Sequence, residues 1–294
     1  MPIIETDFLS AGEHAVGGEI NYIDSSWDGY IDQSVDGNMK ITLNIKEFPL
    51  QYAYGITDKQ MLLMEIPYVF SSDTDNTVDW DDGSRTEFQS SENGLGDLAI
   101  QYRLMVYDSA KYRVSARLGV KIPVGDDDSG DPEIIEDGVK TQSLKKGGAG
   151  NGRTDYNAGL SFSFSTGKIT LFSSMNYTMN GTKTEEGEKD EPGDDLNVEF
   201  GLLHEINEKS IFGVKALYSY FREGKDGDSD VSSSSGYGLI ARYMYFVDKN
   251  LMLFPQVGFL KIAEIKYTDR TDGSTLKFSE LKSLALGVGF VKTF

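Results

Sequence analysis

The 294-residue sequence has no cysteine, 7 prolines and 2 histidines, and no apolar run long enough for a membrane helix. Each shortage excludes something. Without thiols the fold needs no disulfide framework, and their absence fits an oxidising compartment. Scarce proline beside 32 Gly, 16 Tyr and 16 Phe suits many strands joined by flexible turns. A membrane helix needs about 18 consecutive apolar residues, so hydropathy reports no span. That test is blind to membrane barrels, whose strands alternate lipid-facing and lumen-facing residues. The net charge of -19 excludes nucleic acid as a partner, because binding a polyphosphate requires clustered Lys and Arg to displace counterions. The N-terminus has no charged start, apolar core and small-residue cleavage site, so Met1-Pro2 is expected to open a mature chain whose leader has been replaced.

What the sequence does contain is period two, repeated in twelve segments. Leu98, Ile100, Tyr102, Leu104 and Val106 form one apolar file, and Tyr112, Val114, Ala116, Leu118, Val120, Ile122 and Val124 form the next. Between them alternate Ala99, Gln101 and Arg103, then Arg113, Ser115, Arg117, Gly119 and Lys121. Charge at every second residue is incompatible with a strand buried on both faces. The same alternation runs through Leu62 to Phe70, Tyr156 to Phe164, Leu196 to Leu202, Phe212 to Tyr220 and Tyr237 to Tyr245. Two segments change phase, between Ile45 and Phe48 and after Phe259, and are expected to carry bulges.

The connections alternate in length. Tight turns are expected at 57–60, 108–111, 166–168, 207–210 and 247–250, and long loops at 25–38, 71–93, 125–153, 181–194, 222–235 and 268–275. Strict alternation places all long loops at one end of a barrel, as in outer-membrane proteins with short periplasmic turns and long extracellular loops. The six loops hold 29 acidic and 10 basic residues, which accounts for the whole net charge. Aromatics gather in two girdles, Tyr22, Tyr68, Phe70, Tyr156, Tyr177, Tyr218, Tyr220, Tyr237 and Phe278 near loop ends, and Tyr52, Tyr54, Tyr112, Phe164, Phe212, Tyr243, Tyr245 and Phe290 near turn ends. The last strand alternates through Leu284, Leu286, Val288 and Phe290 to a terminal Phe294, which resembles the signal read by the outer-membrane assembly machinery. The expected fold is an all-β transmembrane up-and-down barrel of about twelve antiparallel strands over residues 13–294, preceded by a periplasmic segment, residues 1–12.

Three stretches, PLQYAYGITDKQMLLMEIPYVF (49–70), GLGDLAIQYRL (94–104) and RVSARLGVKIPVGD (113–126), resemble the outer-membrane channel proteins associated with the meta-pathway of phenol degradation. The resemblance implies a monomeric twelve-stranded channel for small, often hydrophobic or aromatic compounds.

A twelve-stranded barrel should leave a narrow lumen, between the side-chain-filled eight-stranded and the water-filled sixteen-stranded types. The residues expected to line it are Arg103, Arg113, Arg117, Lys121, Lys215 and Arg242, opposed by Glu65, Glu199 and Glu205. The basic residues either form a ladder that draws anionic solutes or pair with the inward carboxylates. Loop 125–153 is the candidate constriction, with Asp131-Pro132-Glu133 as a possible helix start and Gly147, Gly148, Gly150 and Gly152 as hinges. The alternative is a plain external loop. Asp73, Asp75, Asp79, Asp81 and Asp82, and Asp126 to Asp128, either contact calcium or lipopolysaccharide-bridging cations or are solvated. No catalytic constellation is expected: His14 and His204 fall in the lipid-facing phase without an evident Ser and acid partner. No cofactor is expected. The function read from the sequence is passive passage of small solutes, and the alternative is a structural or adhesive barrel that binds a surface partner through its acidic loops. The expected surroundings are outer-membrane lipid and lipopolysaccharide, and the expected state a monomer, since a closed barrel leaves no edge to cover.

Overall fold

The computed structural model describes residues 8–32, 36–128, 130–185 and 188–294. Among these there are only strands, turns and irregular segments. The strands are β1 (His14–Asp32), β2 (Gly37–Thr57), β3 (Gln60–Trp80), β4 (Arg85–Leu95), β5 (Leu98–Asp108), β6 (Tyr112–Ile122), β7 (Glu133–Glu136), β8 (Val139–Gln142), β9 (Asp155–Thr166), β10 (Ile169–Met179), β11 (Lys183–Glu185), β12 (Glu188–Asp190), β13 (Asp195–Asn207), β14 (Ser210–Phe221), β15 (Gly224–Asp226), β16 (Ser229–Val231), β17 (Ser234–Phe246), β18 (Leu251–Ile262), β19 (Ile265–Asp269), β20 (Thr275–Phe278) and β21 (Leu281–Thr293). Sequential antiparallel pairing runs β1–β2–β3–β5–β6–β9–β10–β13–β14–β17–β18–β21, and β21 returns to β1, with Ala15 opposite Thr293 and Ser26 opposite Lys282. Twelve strands therefore close a barrel without a free edge, so the backbone satisfies itself wherever lipid surrounds it.

Alternation sorts the side chains as expected. Ile20, Leu118, Leu160, Phe200, Leu239, Leu253 and Val288 point outward and are 60, 63, 54, 62, 52, 43 and 65 % exposed, an apolar belt that only a bilayer would cover. Tyr68, Phe70, Tyr156, Tyr218 and Tyr237 rim this belt on the loop side, and Tyr112, Phe212, Tyr243 and Tyr245 on the turn side. Phe278 departs from the expected girdle: it lies on the inner face, edge-on to Trp27.

The strands differ greatly in length. β1 to β3 have 19 to 21 residues, about 65–70 Å of extended chain, whereas β6 and β10 have 11, close to what a tilted crossing requires. The surplus stands above the rim as a continuous sheet in the order β15–β16–β19–β20–β1–β2–β3–β4–β7–β8. Much of what reads as long loop, 25–38, 71–93 and parts of 222–235 and 268–275, is thus strand. The expected helix at Asp131-Pro132-Glu133 is also replaced, by the β7–β8 hairpin, because Phe88 of β4 offers Ile134 a cross-strand partner. Neither expected bulge occurs on its own strand. The β2–β3 register breaks at Lys46/Glu47, but the extra residue, Phe70, belongs to β3, so β2 itself keeps its phase. The last outward strand is interrupted at Ala263 and Glu264.

Candidate functional site: the barrel lumen

The inner wall is layered along the barrel axis. At the turn end it is apolar. Ala15, Ala53, Met61 and Leu63 pack with Phe8, Leu9 and Val291, and Met244, Met252 and Phe254 pack with Leu203, Ile211, Phe246 and the same Val291. Residues 8–12 reach this floor because the Gly12 amide donates to the Gly55 carbonyl at 2.8 Å and the Ala11 amide to Asp58 Oδ1 at 2.9 Å. Residues 1–7 of the expected periplasmic segment lie outside the described residues.

Above the floor comes a charged and polar belt. The residues expected to line the lumen share the strand phase opposite the lipid-facing side chains, and most are engaged with other polar side chains of the wall. Lys215 Nζ donates to Glu199 Oε1 at 2.8 Å, and Ser174 Oγ donates to the other carboxylate oxygen at 2.9 Å. Lys121 pairs with Asp155 at 2.5 Å, a carboxylate only 3 % exposed that also meets Arg153 at 3.3 Å. Arg113, at the turn end, pairs with Asp108 at 3.1 Å. Arg103 is buried and donates from Nε to Gln101 Oε1 at 2.7 Å. Arg242 donates from Nε to Gln256 Oε1 at 3.0 Å and stacks 4.6 Å from the centre of the Phe254 ring. Glu65 accepts from Gln51 Nε2. Glu205 sits at the turn end, where its amide donates to the Lys168 carbonyl at 2.8 Å. Arg117 differs: its Nε is buried without a hydrogen-bond partner among the described residues.

Sequence reasoning missed several members of this belt: Glu19, Glu47, Gln51, Asp155 and Gln256. Glu19 is 3 % exposed and Asn21 Nδ2 donates to Glu47 at 3.1 Å, so β1 and β2 carry an acidic wall beside the basic β5 and β6. The available signal was the odd-numbered phase of His14–Asp32, in which Glu19 and Asn21 alternate with outward Ile20 and Tyr22.

Glycines on the inner face determine how these side chains lie. A Cβ on Gly159 would stand 2.6 Å from Arg117 Nε, one on Gly287 2.1 Å from Glu19 Oε1, and one on Gly289 2.4 Å from Phe254 Cζ. In each case a large side chain lies across a glycine of the neighbouring strand, directly opposite for Arg117 and Phe254 and diagonal for Glu19, along the wall instead of across the bore.

Loop 125–153 is bound to the rim through backbone. Asp97, 7 % exposed, accepts from the Asn151 amide at 3.0 Å and the Gly125 amide at 3.4 Å, and the Gly147 amide donates to the Ser91 carbonyl at 2.9 Å. The glycines expected as hinges are contacts: a Cβ on Gly148 would be 2.1 Å from the Asp126 carbonyl oxygen, and one on Gly150 2.7 Å from Gly125. At Gly148 and Gly150 close backbone approach explains the missing side chain, whereas Gly152 adopts a φ of +69°. Among the described residues no group of three or more acidic or histidine side chains is disposed to hold a metal, and Asp73 accepts from Ser91 Oγ at 2.7 Å. Both histidines face outward; His14 Nδ1 lies 2.5 Å from the Tyr52 hydroxyl, and His204 is paired with Ile169 and Phe212.

Comparison with known proteins agrees with this architecture. The model of a family described as "Putative MetA-pathway of phenol degradation" matches residues 31–278. An outer membrane channel from Pseudomonas putida F1 has the same fold, with a TM-score of 0.62 at 14% identity over 100% of both chains. Two further solved barrels superpose less well. A FadL homologue from Pseudomonas aeruginosa gives a TM-score of 0.49 at 9% identity over 97% of this chain and 90% of that one. A mutant of the TodX monoaromatic hydrocarbon channel gives 0.48 at 10% over 97% and 91%. No curated protein matches the chain by sequence.

Proposed function

The chain belongs to the MetA-pathway phenol degradation family and is a bacterial outer-membrane barrel, and from this premise we propose that it is a channel for passive uptake of small molecules, hydrophobic, aromatic or anionic. The observation that carries the reading is the layered inner wall, a belt of opposed charges between two apolar zones in a closed barrel. A barrel that served only as a scaffold would gain by filling its bore with apolar side chains, since charges away from bulk water cost more than packed hydrophobes of equal volume. In the proposed channel the belt residues Arg103, Arg113, Arg117, Lys121, Lys215, Arg242, Glu65, Glu199 and Glu205 line the path, and three of the bases are neutralised by Glu199, Asp155 and Asp108. Arg117, whose Nε has no hydrogen-bond partner among the described residues, is then a handle for an anion.

The acidic loops face outward, residues 8–12 lie on the periplasmic side of the barrel at 13–294, and the protein acts as a monomer in lipid and lipopolysaccharide. Conductance of the purified protein in planar bilayers tests the proposal. Discrete openings or uptake of small solutes into proteoliposomes are expected; a correctly folded barrel that does neither refutes it. A second reading, an adhesive barrel, draws support from the tall rim sheet with Asp28, Asp32, Asp75 and Asp79 on its outer face. Its distinguishing outcome is loss of cell-surface binding with unchanged permeability when that rim is altered.

A further inference from the structure

The outer face of the barrel, just above the apolar belt, carries an arrangement of charge that the lumen does not explain. Leu239 of β17, Phe259 of β18 and Leu284 of β21 stand opposite one another across the strands and point outward, 52, 45 and 47 % exposed. Two residues further toward the loop end, about 7 Å along each strand, the next outward row reads Tyr237, Lys261 and Lys282. Lys261 and Lys282 are therefore direct cross-strand neighbours, at the level where the aromatic girdle meets the lipid headgroups. The pattern repeats higher up, where Lys266 of β19 is opposite Lys277 of β20. Both turn outward, because their neighbours Tyr267 and Phe278 meet edge-on at 5.6 Å and 87°, and Phe278 packs with the buried Ile31 and Val78 group inside the rim. Five residues separate the lower pair from the upper on both chain segments, a rise of at most about 18 Å.

Like charges set directly opposite each other across a sheet are destabilising, and the carboxylates nearby offset only part of this. Glu280 meets Lys261 Nζ at 2.5 Å. Lys266, Lys277 and Lys282 have no ion-pair partner among the described residues, and Glu264, between the two levels in the chain, meets none of them. Beside Lys266 the rim leaves a cavity of about 480 Å³, whose lining includes Glu191, Glu223, Lys225, Asp230, Lys266 and Thr268. Lys225, Asp230 and Thr268 form one cross-strand row in the same outward phase as Lys266. Two of the cavity's acids are engaged, Glu191 by Lys189 and Lys225, and Asp230 by Arg270 at 3.4 Å. Carboxylate, hydroxyl and ammonium groups together in one concavity match a sugar, whose hydroxyls both donate and accept.

We propose that the outer face of β18 to β21 is a docking site for the phosphorylated sugar headgroup of lipopolysaccharide, with phosphates bridging Lys261 to Lys282 at headgroup level and Lys266 to Lys277 above it, and a sugar of the same molecule in the cavity beside Lys266. An anion between two ammonium groups turns each repulsive pair into charge-assisted hydrogen bonds. The lower pair continues the lipid-covered belt, which makes the occupant a lipid. A phospholipid carries its phosphate at one level and satisfies only that pair, whereas a glycolipid with phosphates on successive sugars reaches both. The site rests on the placement of the barrel in the outer membrane with its acidic loops outward, and not on the channel reading.

Native mass spectrometry of the full-length barrel in detergent micelles tests the proposal, with three probes titrated separately: short-core lipopolysaccharide phosphorylated on lipid A and core, the same preparation after chemical dephosphorylation, and phosphatidylglycerol. The phosphorylated glycolipid is expected to bind most tightly. A lysine near an anionic surface contributes roughly fivefold, so the triple variant Lys266→Gln/Lys277→Gln/Lys282→Gln should weaken its binding by roughly tenfold or more after screening and lose most of the preference over the dephosphorylated form. The control Lys111→Gln/Lys209→Gln/Lys249→Gln removes the same charge at the turn end, far beyond a Debye length, and should stay within about twofold of the unaltered protein. Equal affinity for the phosphorylated and dephosphorylated glycolipid, phosphatidylglycerol binding as tightly as lipopolysaccharide, or an equal loss in the control overturns the proposal. The probe comparison on the unaltered protein decides the matter even if the triple variant does not fold. Selective binding by a barrel that never conducts would refute the channel and leave the site standing; conduction without that selectivity would do the reverse.

Discussion

Replacing Arg117 by Gln is expected to shift the selectivity of the pore toward cations. The Arg117 side chain lies along the wall over Gly159, and among the described residues its Nε has no hydrogen-bond partner, so on the channel reading its charge is left to act on a passing ion. A permeant anion at about 5 Å from the guanidinium gains roughly 0.8 kcal/mol if the intervening medium behaves as water, and roughly 3 kcal/mol at an effective dielectric constant near 20. The lower figure corresponds to about a fourfold change in the cation-to-anion permeability ratio, which sets the minimum expected effect. Lys215 provides the control. It is 2.8 Å from Glu199, so the double variant Lys215→Gln/Glu199→Gln removes no net charge and should leave the ratio within about twofold of the unaltered protein. Reversal potentials across a planar bilayer in a salt gradient measure both. An Arg117→Gln pore that conducts with an unchanged reversal potential would refute the assignment of Arg117 to the permeation path, and an equal shift in the double variant would show that net belt charge is not the governing quantity.

Three further outcomes follow from packing and charge. Gly289→Val places a Cβ 2.4 Å from Phe254 Cζ and 2.6 Å from the Gly18 carbonyl oxygen; overpacking of this kind costs about 1–3 kcal/mol, so the denaturant midpoint of the micelle-refolded barrel should fall, and an unchanged midpoint would contradict the inner-wall packing. Gly148→Val, whose Cβ would be 2.1 Å from the Asp126 carbonyl oxygen, should release loop 125–153 to proteolysis while the barrel keeps its heat-modifiable mobility; protection equal to that of the unaltered loop counts against the strap. The third concerns pH. Asp128 is held below its ordinary value of 3.8 by the hydrogen bond from Lys145, then by the Gly130 amide and the Lys145 charge, and Asp269 is lowered by its hydrogen bonds from Thr271. A carboxylate depressed in the folded state stabilises its loop above its unfolded value and ceases to as pH falls through the lowered one. Loop cleavage by an acid-active protease should therefore rise below pH 3.8 more steeply in the unaltered protein than in Lys145→Gln.

Much of this was legible in the sequence, because a barrel strand states its two environments residue by residue. The alternation at Leu98–Asp108 and Tyr112–Ile122 placed Arg103, Arg113, Arg117 and Lys121 on one face, and the inner wall has them there. Tight turns next to Thr57, Asp108 and Thr166 likewise coincide with the hairpins. The rim sheet was hidden by composition. Ile31, Met39, Ile41 and Val78 obey the same period, but their outward neighbours are Asp32, Lys40, Asp79 and Thr77, and acid-rich stretches read as loop. Phe278 was misplaced for the same reason. Its strand lies beyond the membrane, where an apolar ring packs inward, so an inventory of aromatics near loop ends assigns it to the wrong side. Which cations would be neutralised was not legible at all. Lys215 and Glu199 are on adjacent strands and meet diagonally, whereas Lys121 reaches an acid, Asp155, that had been assigned to no face.

The prolines join the loop to the wall. Pro49 and Pro67 stand opposite each other in β2 and β3. Neither can donate to the ladder, and since they are paired with each other as strand neighbours, each turns its missing donor to the far side. The breaks fall accordingly: β1–β2 pairing lapses between Gly18/Leu50 and Asn21/Glu47, and β3 loses regular pairing between Glu65/Ala99 and Tyr68/Leu95. An interrupted ladder at membrane depth is tolerated only where protein backs it. At the second break the Gly96 amide donates to the Pro67 carbonyl at 2.8 Å, and Asp97 holds the amides of Asn151 and Gly125 behind it. Segment 147–151 is on this reading part of the wall, the piece that closes a row two prolines leave open. Deleting loop 125–153 would then breach the wall of the barrel itself, and permeability should rise for solutes of every class.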